Sequence, residues 1–236
     1  MKNNKIIYSI LLPAYEEAEN LKLILPKISK FINRDHFEVI VIDKMISTDL
    51  SPEIVKKNSF KYINREINDN YGDAVRSGIK VAKGDYLIFM DCDGSHNPSF
   101  IKQMLKYHKS HDLVTASRYI KNGKTENPFI LNIMSRFLNF TYNFFLRIPI
   151  LDISNSFKMY KREDIIHLNL VSKNFDIIQE IVMKIFINNP KTKVKELPFN
   201  FMKRKYGVTK RNLFLFVISY LFTIIKLLLI KYKIHR

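Results

Sequence analysis

The sequence predicts an α/β protein built on a mostly parallel sheet with helices on both faces. Short apolar runs alternate with longer segments whose apolar residues recur at helical spacing. The run at 86–90 is apolar without alternation, which is typical of a strand buried on both faces. Alternating strands and helices favour parallel βαβ units, and a chain of 236 residues is long enough to bury a full core.

Five strands are predicted in the first half of the chain from short runs rich in aliphatic and aromatic residues. The runs lie at 6–12, 37–42, 61–64, 86–90 and 113–116. Start signals predict the helices between them. Acidic residues precede the first helix, Ser51 and Pro52 open the second, and Asn97 and Pro98 open the fourth. The third helix is predicted at 72–81 from its apolar side.

The second half of the chain is less regular. Apolar residues at helical spacing predict helices at 131–146 and 176–187. A polar loop at 152–158 enters a short strand, and the alternation at 194–201 predicts another strand. A basic turn follows at 203–210, and there is no internal repeat.

The chain is strongly basic, with 39 Lys and Arg residues against 22 Asp and Glu residues, a net charge of +17. Nucleic acid, an anionic membrane or a polyanionic substrate could each explain this charge. We expect no nucleic-acid partner, because the sequence has neither zinc-ligand spacing nor an RNA-binding aromatic signature. Cys92 is the single cysteine, which excludes an internal disulfide and is typical of a reducing compartment. The N-terminal residues predict no signal peptide.

Charged residues follow three of the predicted strands where each strand ends. They are Asp43, the pair Asp91 and Asp93, and Arg118. Ligands bind outside the carboxyl ends of strands in an open α/β sheet, so we expect these side chains at one rim. Paired carboxylates there can hold Mg²⁺, which takes its remaining ligands from phosphate and water. The alternative is a solvated turn after a strand.

The last segment, 213–230, is almost wholly apolar, and basic residues flank it. Its few polar residues fall on one narrow stripe at helical spacing. Three interpretations remain open: an amphipathic helix lying in a membrane surface, a single membrane span, or a helix docked on the protein core. We therefore divide the chain into a domain at 1–210 and a C-terminal, membrane-associated helix at 211–236.

Seven stretches in chain order resemble the motifs of family 2 glycosyltransferases with the GT-A fold. The stretches lie at 12–17, 43–49, 71–78, 91–98, 117–119, 152–158 and 204–210. Their family counterparts include P-A-Y-N-E for the first, D-A-D-x-Q-H-P-P for the fourth and R-x-x-G-x-S-K for the last. The resemblance runs over about residues 6–212 and is strongest to the group of dolichol-phosphate mannosyltransferases and polyprenyl-phosphate glycosyltransferases.

The resemblance implies a Rossmann-like GT-A sheet and a role for each matching residue. It implies a nucleotide-sugar site made of Pro13, Tyr15, Glu17, Asp43, Arg76 and Asp91. It implies that Asp91 and Asp93 hold Mg²⁺ or Mn²⁺ and act in catalysis together with Arg118. It implies an acceptor-phosphate site made of Arg118, Arg136, Lys158, Arg204 and Lys210.

This sequence departs from the family motifs at several positions. Lys44 stands in place of the second Asp of the D-D-G-S-T-D turn, which here lacks its Gly and is one residue longer. Ser95 stands in place of Gln after the paired aspartates. Lys158 replaces an Arg and is a point charge rather than a fork. These departures leave the nucleotide and the acceptor open.

The resemblance implies an inverting transferase that moves a hexose from a GDP- or UDP-linked sugar to a lipid-linked acceptor such as polyprenyl phosphate. We expect it at the cytoplasmic face of a membrane, either peripheral or with a single span. One alternative acceptor is a sugar hydroxyl on a cell-surface glycan, which needs a general base such as Asp152 or Glu180. Another alternative is a degenerate, non-catalytic subunit that binds a nucleotide sugar.

Overall fold

The structure is a computed structural model that describes residues 5–206, 222–226, 228–229 and 231–232. The described residues form strands β1 (Tyr8–Pro13), β2 (Phe37–Asp43), β3 (Lys61–Asn64), β4 (Tyr86–Phe89), β5 (Leu113–Ser117), β6 (Lys124–Thr125), β7 (Lys158–Lys161), β8 (Val194–Pro198) and β9 (Asn200–Phe201). They also form helices α1 (Ala18–Ser29), α2 (Ser51–Lys57), α3 (Tyr71–Val81), α4 (Ile101–Met104), α5 (Phe129–Leu146), α6 (Arg162–Ile165) and α7 (Ile177–Asn188).

Seven strands form one sheet in the order β3-β2-β1-β4-β7-β5-β8, and β6 pairs with β9 in a small second sheet. All pairs in the large sheet are parallel except those of β7, which runs antiparallel to both β4 and β5. The predicted mostly parallel α/β sheet is confirmed. The sequence predicted a short strand after 152–158, but its place between β4 and β5 comes from pairing with residues that are 43 to 75 positions away in the chain.

Helices cover both faces of the large sheet, as predicted. One core packs α3, α5 and α7 against the sheet, and the other packs α1, α2 and α4 against the opposite face. In β1 the side chain of Leu11 enters the first core, whereas those of Ile10 and Leu12 enter the second, and all three are fully buried. This explains the unbroken apolar run, because a central strand has no solvent-facing side.

Two predicted elements differ in detail from the observed ones. The strand predicted at 194–201 is divided at Phe199, because β8 pairs with β5 as far as Pro198 and β9 then pairs with β6. The helix predicted to begin at Asn97 is a series of short turns, in which α4 is flanked by the 3₁₀ segments Pro98–Phe100 and Leu105–Tyr107.

Most of the predicted terminal helix at 213–230 lies outside the described residues. Residues 222–226, 228–229 and 231–232 are helical and pack on the domain. Ile224 is buried in the core, and the Thr223 hydroxyl donates to Asp176 Oδ2 at 3.0 Å. Among the described residues, no helix combines the length and apolar character that crossing a bilayer requires.

The start of α3 lies against the loop before α7. The Gly72 amide donates to the Lys173 carbonyl at 2.7 Å, and Tyr71 stacks on Phe175 with ring centroids 3.8 Å apart. A Cβ at residue 72 would lie 2.8 Å from the Lys173 carbonyl oxygen and closer still to that of Ser172. Glycine is therefore required here for close backbone approach.

We expect Gly72→Ala to lower the free energy of unfolding by about 1–3 kcal/mol, because the clash is with backbone that cannot move freely. Gly78→Ala in the same helix is the matched control, since its Cβ would meet side-chain atoms of Ile42 and Leu11, at 3.2 and 3.3 Å, and no backbone atom at a shorter distance. Denaturant unfolding followed by circular dichroism measures both variants. Equal losses in the two variants would contradict this account.

Candidate functional site

The carboxyl ends of β1, β2, β4 and β5 meet at one rim, where β7 begins. The residues Asp43, Asp91 and Arg118 lie along this rim at or just after the ends of β2, β4 and β5. One strand intervenes between Asp43 and Asp91, and another between Asp91 and Arg118. Strands lie about 4.8 Å apart, so each interval is roughly 10 Å. The paired aspartates thus divide the rim into a β1–β2 side and a β5–β7 side.

The two carboxylates after β4 differ in their contacts. Asp93 Oδ1 accepts hydrogen bonds from the Ser95 amide at 3.0 Å and the Ser95 hydroxyl at 2.6 Å. Asp91 is half-buried, and its carboxylate has no hydrogen bond or ion pair with another described residue. Burial raises the pKa of the Cys92 thiol between them. Cys92 is therefore a packed thiol and not a nucleophile.

His96 fixes the backbone of this turn. Its Nδ1 accepts the Asp91 amide at 2.9 Å, and its ring stacks on Phe157 with centroids 4.8 Å apart. Burial lowers the pKa of His96, so the ring is neutral near pH 7 and carries its proton on Nε2. The histidine therefore holds the turn through Nδ1.

The aspartate pair fits a magnesium or manganese ion that brings its own ligands. Within the described residues, no three His, Cys, Asp or Glu side chains form a cage made by the protein alone. Mg²⁺ typically uses one or two carboxylates and fills its shell with phosphate and water oxygens. An accessible Asp91 carboxylate beside an oriented Asp93 is the donor set that such an ion requires.

On the β1–β2 side, Asp43 is fully buried and joins the loop after β1, the loop after β2 and strand β3. Its Oδ1 accepts the amides of Glu16 at 3.1 Å and Lys44 at 2.8 Å, and its Oδ2 accepts the hydroxyls of Ser47 and Tyr62 at 3.1 Å each. Contact between Asp43 and a base stays a prediction. In this arrangement the buried carboxylate fixes the conformation of the loops at the rim through its hydrogen bonds.

The other predicted nucleotide residues lie around this network. Pro13 is buried at the end of β1, and Tyr15 is half-buried beyond it. The Arg65 guanidinium lies 5.6 Å from the Tyr15 ring centroid and is itself buried. Arg76 lies on α3, and its guanidinium donates to the Ser172 carbonyl at 2.7 Å. The structure thus joins Arg76 to the loop before α7, and its nucleotide role stays a prediction.

Arg204 belongs to a segment that crosses the aspartate turn. Its guanidinium forms an ion pair with Glu17, and another of its nitrogens lies 4.0 Å from Asp93 Oδ2. The Lys205 amide donates to the Asp93 carbonyl at 3.1 Å. The structure brings Arg204 beside the paired aspartates and beside Glu17, which was predicted to bind the nucleotide. The predicted contact of Arg204 with acceptor phosphate stays a prediction.

On the β5–β7 side, Arg118 makes a buried, two-pronged ion pair with Asp152. Its Nε donates to Asp152 Oδ2 at 2.8 Å and its Nη2 to Oδ1 at 2.7 Å. Burial of Asp152 opposes ionisation, but the charge and hydrogen bonds of Arg118 outweigh it and hold the pKa of Asp152 below its usual value. Ser135 of α5 also accepts from Arg118 at 3.2 Å.

The exposed Arg136 lies over the Tyr119 ring, 4.6 Å from its centroid.

Lys158 is fully buried, and its ammonium donates to Thr115 Oγ1 and to the carbonyls of Asp152 and Asn155. Burial lowers its pKa to about 8. All three of its donors are used within the protein, so in this arrangement Lys158 holds the 152–158 loop and cannot reach an acceptor phosphate. Lys210 lies outside the described residues, so its predicted role stays a prediction.

Sequence reasoning missed three residues that build this rim. Asp152 was considered as a general base, not as the partner of Arg118. Glu196 of β8 accepts the amides of Leu151 and Asp152 at 2.9 and 3.1 Å. Arg65 donates to the carbonyls of Ala14 and Asp69. The sequence does show these charged residues in or beside predicted strands. Their roles could not be predicted, because the partners that define those roles lie far away in the chain.

Comparisons with known proteins agree with this fold. The sequence model described as Glycosyl transferase family 2 matches residues 9–168. The chain is 29% identical to the dolichol-phosphate mannosyltransferase of Pyrococcus furiosus, over 86% of this chain and 58% of that protein. It is 27% identical to the polyprenol monophosphomannose synthase of Mycolicibacterium smegmatis, over 86% of this chain and 80% of that protein. The chain thus spans less than two thirds of the first of these relatives.

A solved structure supports the same architecture. The fold superposes with a TM-score of 0.72 and 17% identity on glucosyl-3-phosphoglycerate synthase of Mycobacterium tuberculosis, over 93% of this chain and 80% of that one. That structure contains Mn²⁺, UDP and glucosyl-3-phosphoglycerate. Another structure of the synthase contains Mg²⁺ and UDP. At this identity the likeness establishes the fold.

We expect Asp152→Asn to lower the free energy of unfolding by about 3–5 kcal/mol, because it leaves Arg118 buried without its counter-charge. Denaturant unfolding measures the loss. Because the pKa of Asp152 is lowered, the pair stabilises the protein above about pH 4 and is lost as the pH falls through the folded-state pKa. The deficit of the variant should therefore shrink in acid.

Glu66→Gln is the matched control for this substitution, because Glu66 pairs with Lys80 on the exposed surface at 2.7 Å. Surface pairs contribute little, so this variant should unfold like the parent protein. A loss in Asp152→Asn no larger than that in Glu66→Gln would contradict the assigned role of the buried pair.

Proposed function

Since the chain belongs to glycosyl transferase family 2, we propose that it moves a hexose from a GDP- or UDP-linked sugar to polyprenyl phosphate at a membrane surface. One observation carries the proposal: a half-buried Asp91 carboxylate, with no hydrogen bond or ion pair to another described residue, lies beside Asp93 and between a β1–β2 side and a β5–β7 side that carries arginines. The names of two relatives, a dolichol-phosphate mannosyltransferase and a polyprenol monophosphomannose synthase, support a lipid-phosphate acceptor.

Asp91 and Asp93 would hold Mg²⁺ or Mn²⁺ at the diphosphate of the donor. When bound, the ion neutralises charge that develops on the nucleoside diphosphate as the sugar–phosphate bond breaks. Ser95 orients Asp93 through two hydrogen bonds, and His96 holds the Asp91 amide. Arg204 lies close enough to Asp93 to add positive charge on the leaving-group side.

The acceptor chemistry favours a phosphate over a sugar hydroxyl. A phosphate is already an anion near neutral pH, so it needs positioning and charge neutralisation, not a general base. The two carboxylates considered as bases are both engaged: Asp152 pairs with Arg118, and Glu180 accepts the Ser172 amide at 2.8 Å and pairs with Lys184 at 2.7 Å. A single in-line displacement by the acceptor oxygen inverts the anomeric centre.

The exposed Arg136 is well situated for the acceptor phosphate. It lies over Tyr119, whose other neighbour is the Arg118 guanidinium at 4.8 Å from the ring centroid. Arg118 is held in place by Asp152 and Ser135. The charge of Arg118 is matched by Asp152, so the exposed Arg136 supplies the accessible fork for phosphate oxygens.

The outer face of α5 supports a location at a membrane surface. Seven of its large apolar side chains are 48–79% exposed: Phe129, Ile130, Ile133, Phe137, Phe140, Phe144 and Phe145. A contiguous apolar surface of this kind marks an interaction site. The inner face of the same helix reaches Arg118 through Ser135. A bilayer against the outer face would therefore lie close to the proposed acceptor site.

The described C-terminal residues extend this surface. Their polar side chains Thr223 and Lys226 face the protein, whereas the apolar Phe222, Ile225 and Leu229 are exposed. The Lys231 ammonium donates to the Leu146 carbonyl at the end of α5, at 2.8 Å. An apolar side turned outward is the reverse of a helix on a water-facing surface. Because the chain carries a net charge of +17, we propose that it binds peripherally to the cytoplasmic face of an anionic membrane.

We expect the protein, supplied with radiolabelled GDP- or UDP-sugars, Mn²⁺ and vesicles containing polyprenyl phosphate, to form a lipid-extractable labelled product. Replacing both aspartates, Asp91→Asn and Asp93→Asn, should abolish the label and weaken Mn²⁺-dependent nucleotide binding at least about tenfold, because the ion loses its protein ligands. Asp85→Asn, at the opposite end of β4, is the control. Nucleotide binding that persists unchanged in the double variant would favour a non-catalytic subunit.

We expect Phe137→Glu with Phe144→Glu to reduce binding to anionic vesicles, because charged side chains would enter the bilayer interface. Flotation with vesicles of phosphatidylglycerol and phosphatidylcholine measures it. Leu50→Glu, at a residue 57% exposed just before α2, is the control. Unaltered flotation of the α5 variant would rule out this helix as the membrane contact.

A further inference from the structure

An ion pair between two loops lies at the β1–β2 side of the rim. Lys44 Nζ is 2.6 Å from Glu16 Oε1, and the Thr48 hydroxyl also donates to this carboxylate oxygen. The ammonium lies 5.6 Å from the Tyr15 ring centroid. The side chains of Lys44 and Glu16 are 15% and 26% exposed, so both are accessible from the rim.

The backbone beneath the pair is set by the buried Asp43. One Asp43 oxygen accepts the amides of both Glu16 and Lys44, so the two loops leave their strands from a single anchor. Glu16 adopts a left-handed conformation with φ of 53°. Asn favours that conformation far more than Glu does, and Asn is the residue of the resembling P-A-Y-N-E motif. The charged side chain at 16 thus occurs despite a backbone preference against it.

The two unusual residues compensate each other. Lys44 stands where the D-D-G-S-T-D motif has an acidic residue, and Glu16 stands where the P-A-Y-N-E motif has a neutral one. In this chain the acidic side chain is therefore on the loop after β1 instead of the loop after β2, and it pairs with Lys44. Since Asp43 is fully buried with both oxygens engaged, Lys44 and Glu16 offer polar groups to a base beside Tyr15 that Asp43 does not.

We propose that Glu16 and Lys44 together read the nucleobase of the donor, an inference that rests on the proposed function. A carboxylate beside an ammonium is complementary to a ring N–H beside a carbonyl oxygen. Glu16 accepts the ring N–H, and Lys44 donates to the carbonyl. Uracil and guanine share this lactam edge. In adenine and cytosine the ring nitrogen accepts and the exocyclic amine donates, so the same pair meets them with reversed polarity.

Base stacking accounts for the position of Tyr15. The aromatic ring lies next to the pair, and stacking on a base is tolerant of sequence because each base presents a π face. Lys44 Nζ now lies near this ring, and it moves to the edge of the base when a base stacks there. Tyr15 thus provides affinity for any base, whereas the ion pair provides the discrimination.

The test is titration calorimetry of the full chain with UDP, GDP, ADP and CDP in the presence of Mn²⁺. The parent protein should bind UDP or GDP at least about tenfold more tightly than ADP and CDP. The reason is that adenine or cytosine beside Tyr15 would leave the polar groups of Glu16 and Lys44 without matching hydrogen-bond partners. The charge-reversed double variant Glu16→Lys with Lys44→Glu keeps an ion pair between the loops. It should lose this preference while still binding nucleotide.

Two single variants keep the inference testable if the reversed pair does not fold. Glu16→Gln and Lys44→Met should each reduce the preference for UDP or GDP without changing ADP binding. Glu19→Gln, in the exposed pair with Lys22 on α1, is the control and should leave all four affinities unchanged. An unchanged ranking of bases in the Glu16 and Lys44 variants overturns the inference and leaves the proposed function in place. Absence of nucleotide binding to the parent protein overturns both.

Discussion

The buried ion pair between Arg118 and Asp152 connects the elements on which the rim depends. Arg118 follows β5, Asp152 begins the loop that leads into β7, and Ser135 joins the same guanidinium from α5. Glu196 of β8 holds the amide of Asp152. Removing one member of such a pair leaves a buried charge uncompensated, which costs about 3–5 kcal/mol. This interaction explains why a polar loop can be almost fully buried beside the sheet.

The antiparallel strand β7 has a second consequence. Because it runs against its neighbours, its first residues lie at the rim where the parallel strands end. The loop before it therefore packs between the paired aspartates and Arg118. The buried Lys158 ammonium holds this loop through two of its carbonyl oxygens. The loop is shaped by internal hydrogen bonds, so the proposed contact with an anionic acceptor is assigned to more exposed groups such as Arg136.

The two ends of the rim differ in charge. At the β1–β2 end, basic side chains are matched by carboxylates, as in the pairs of Arg204 with Glu17 and Lys44 with Glu16. Near α5 the exposed Arg136 has no carboxylate within ion-pair distance among the described residues, and the apolar face of α5 lies next to it. This asymmetry is compatible with the proposed donor, whose diphosphate would bring a metal ion, and with the proposed acceptor phosphate, whose lipid tail would stay in a membrane.

The sequence by itself determined the parallel βαβ order, the two helical layers and the place of Asp91 and Asp93 at a strand end. These features follow from local composition and spacing, which are visible within a few residues of each element. Tertiary structure decided where β7 inserts and that Asp43 and Lys158 are buried. It also paired Arg118 with Asp152 and Glu16 with Lys44. Most of these outcomes depend on contacts between segments that are distant in the chain, such as Arg118 with Asp152 and β7 with β4, and a chain shows no local pattern for contacts formed when distant segments pack together.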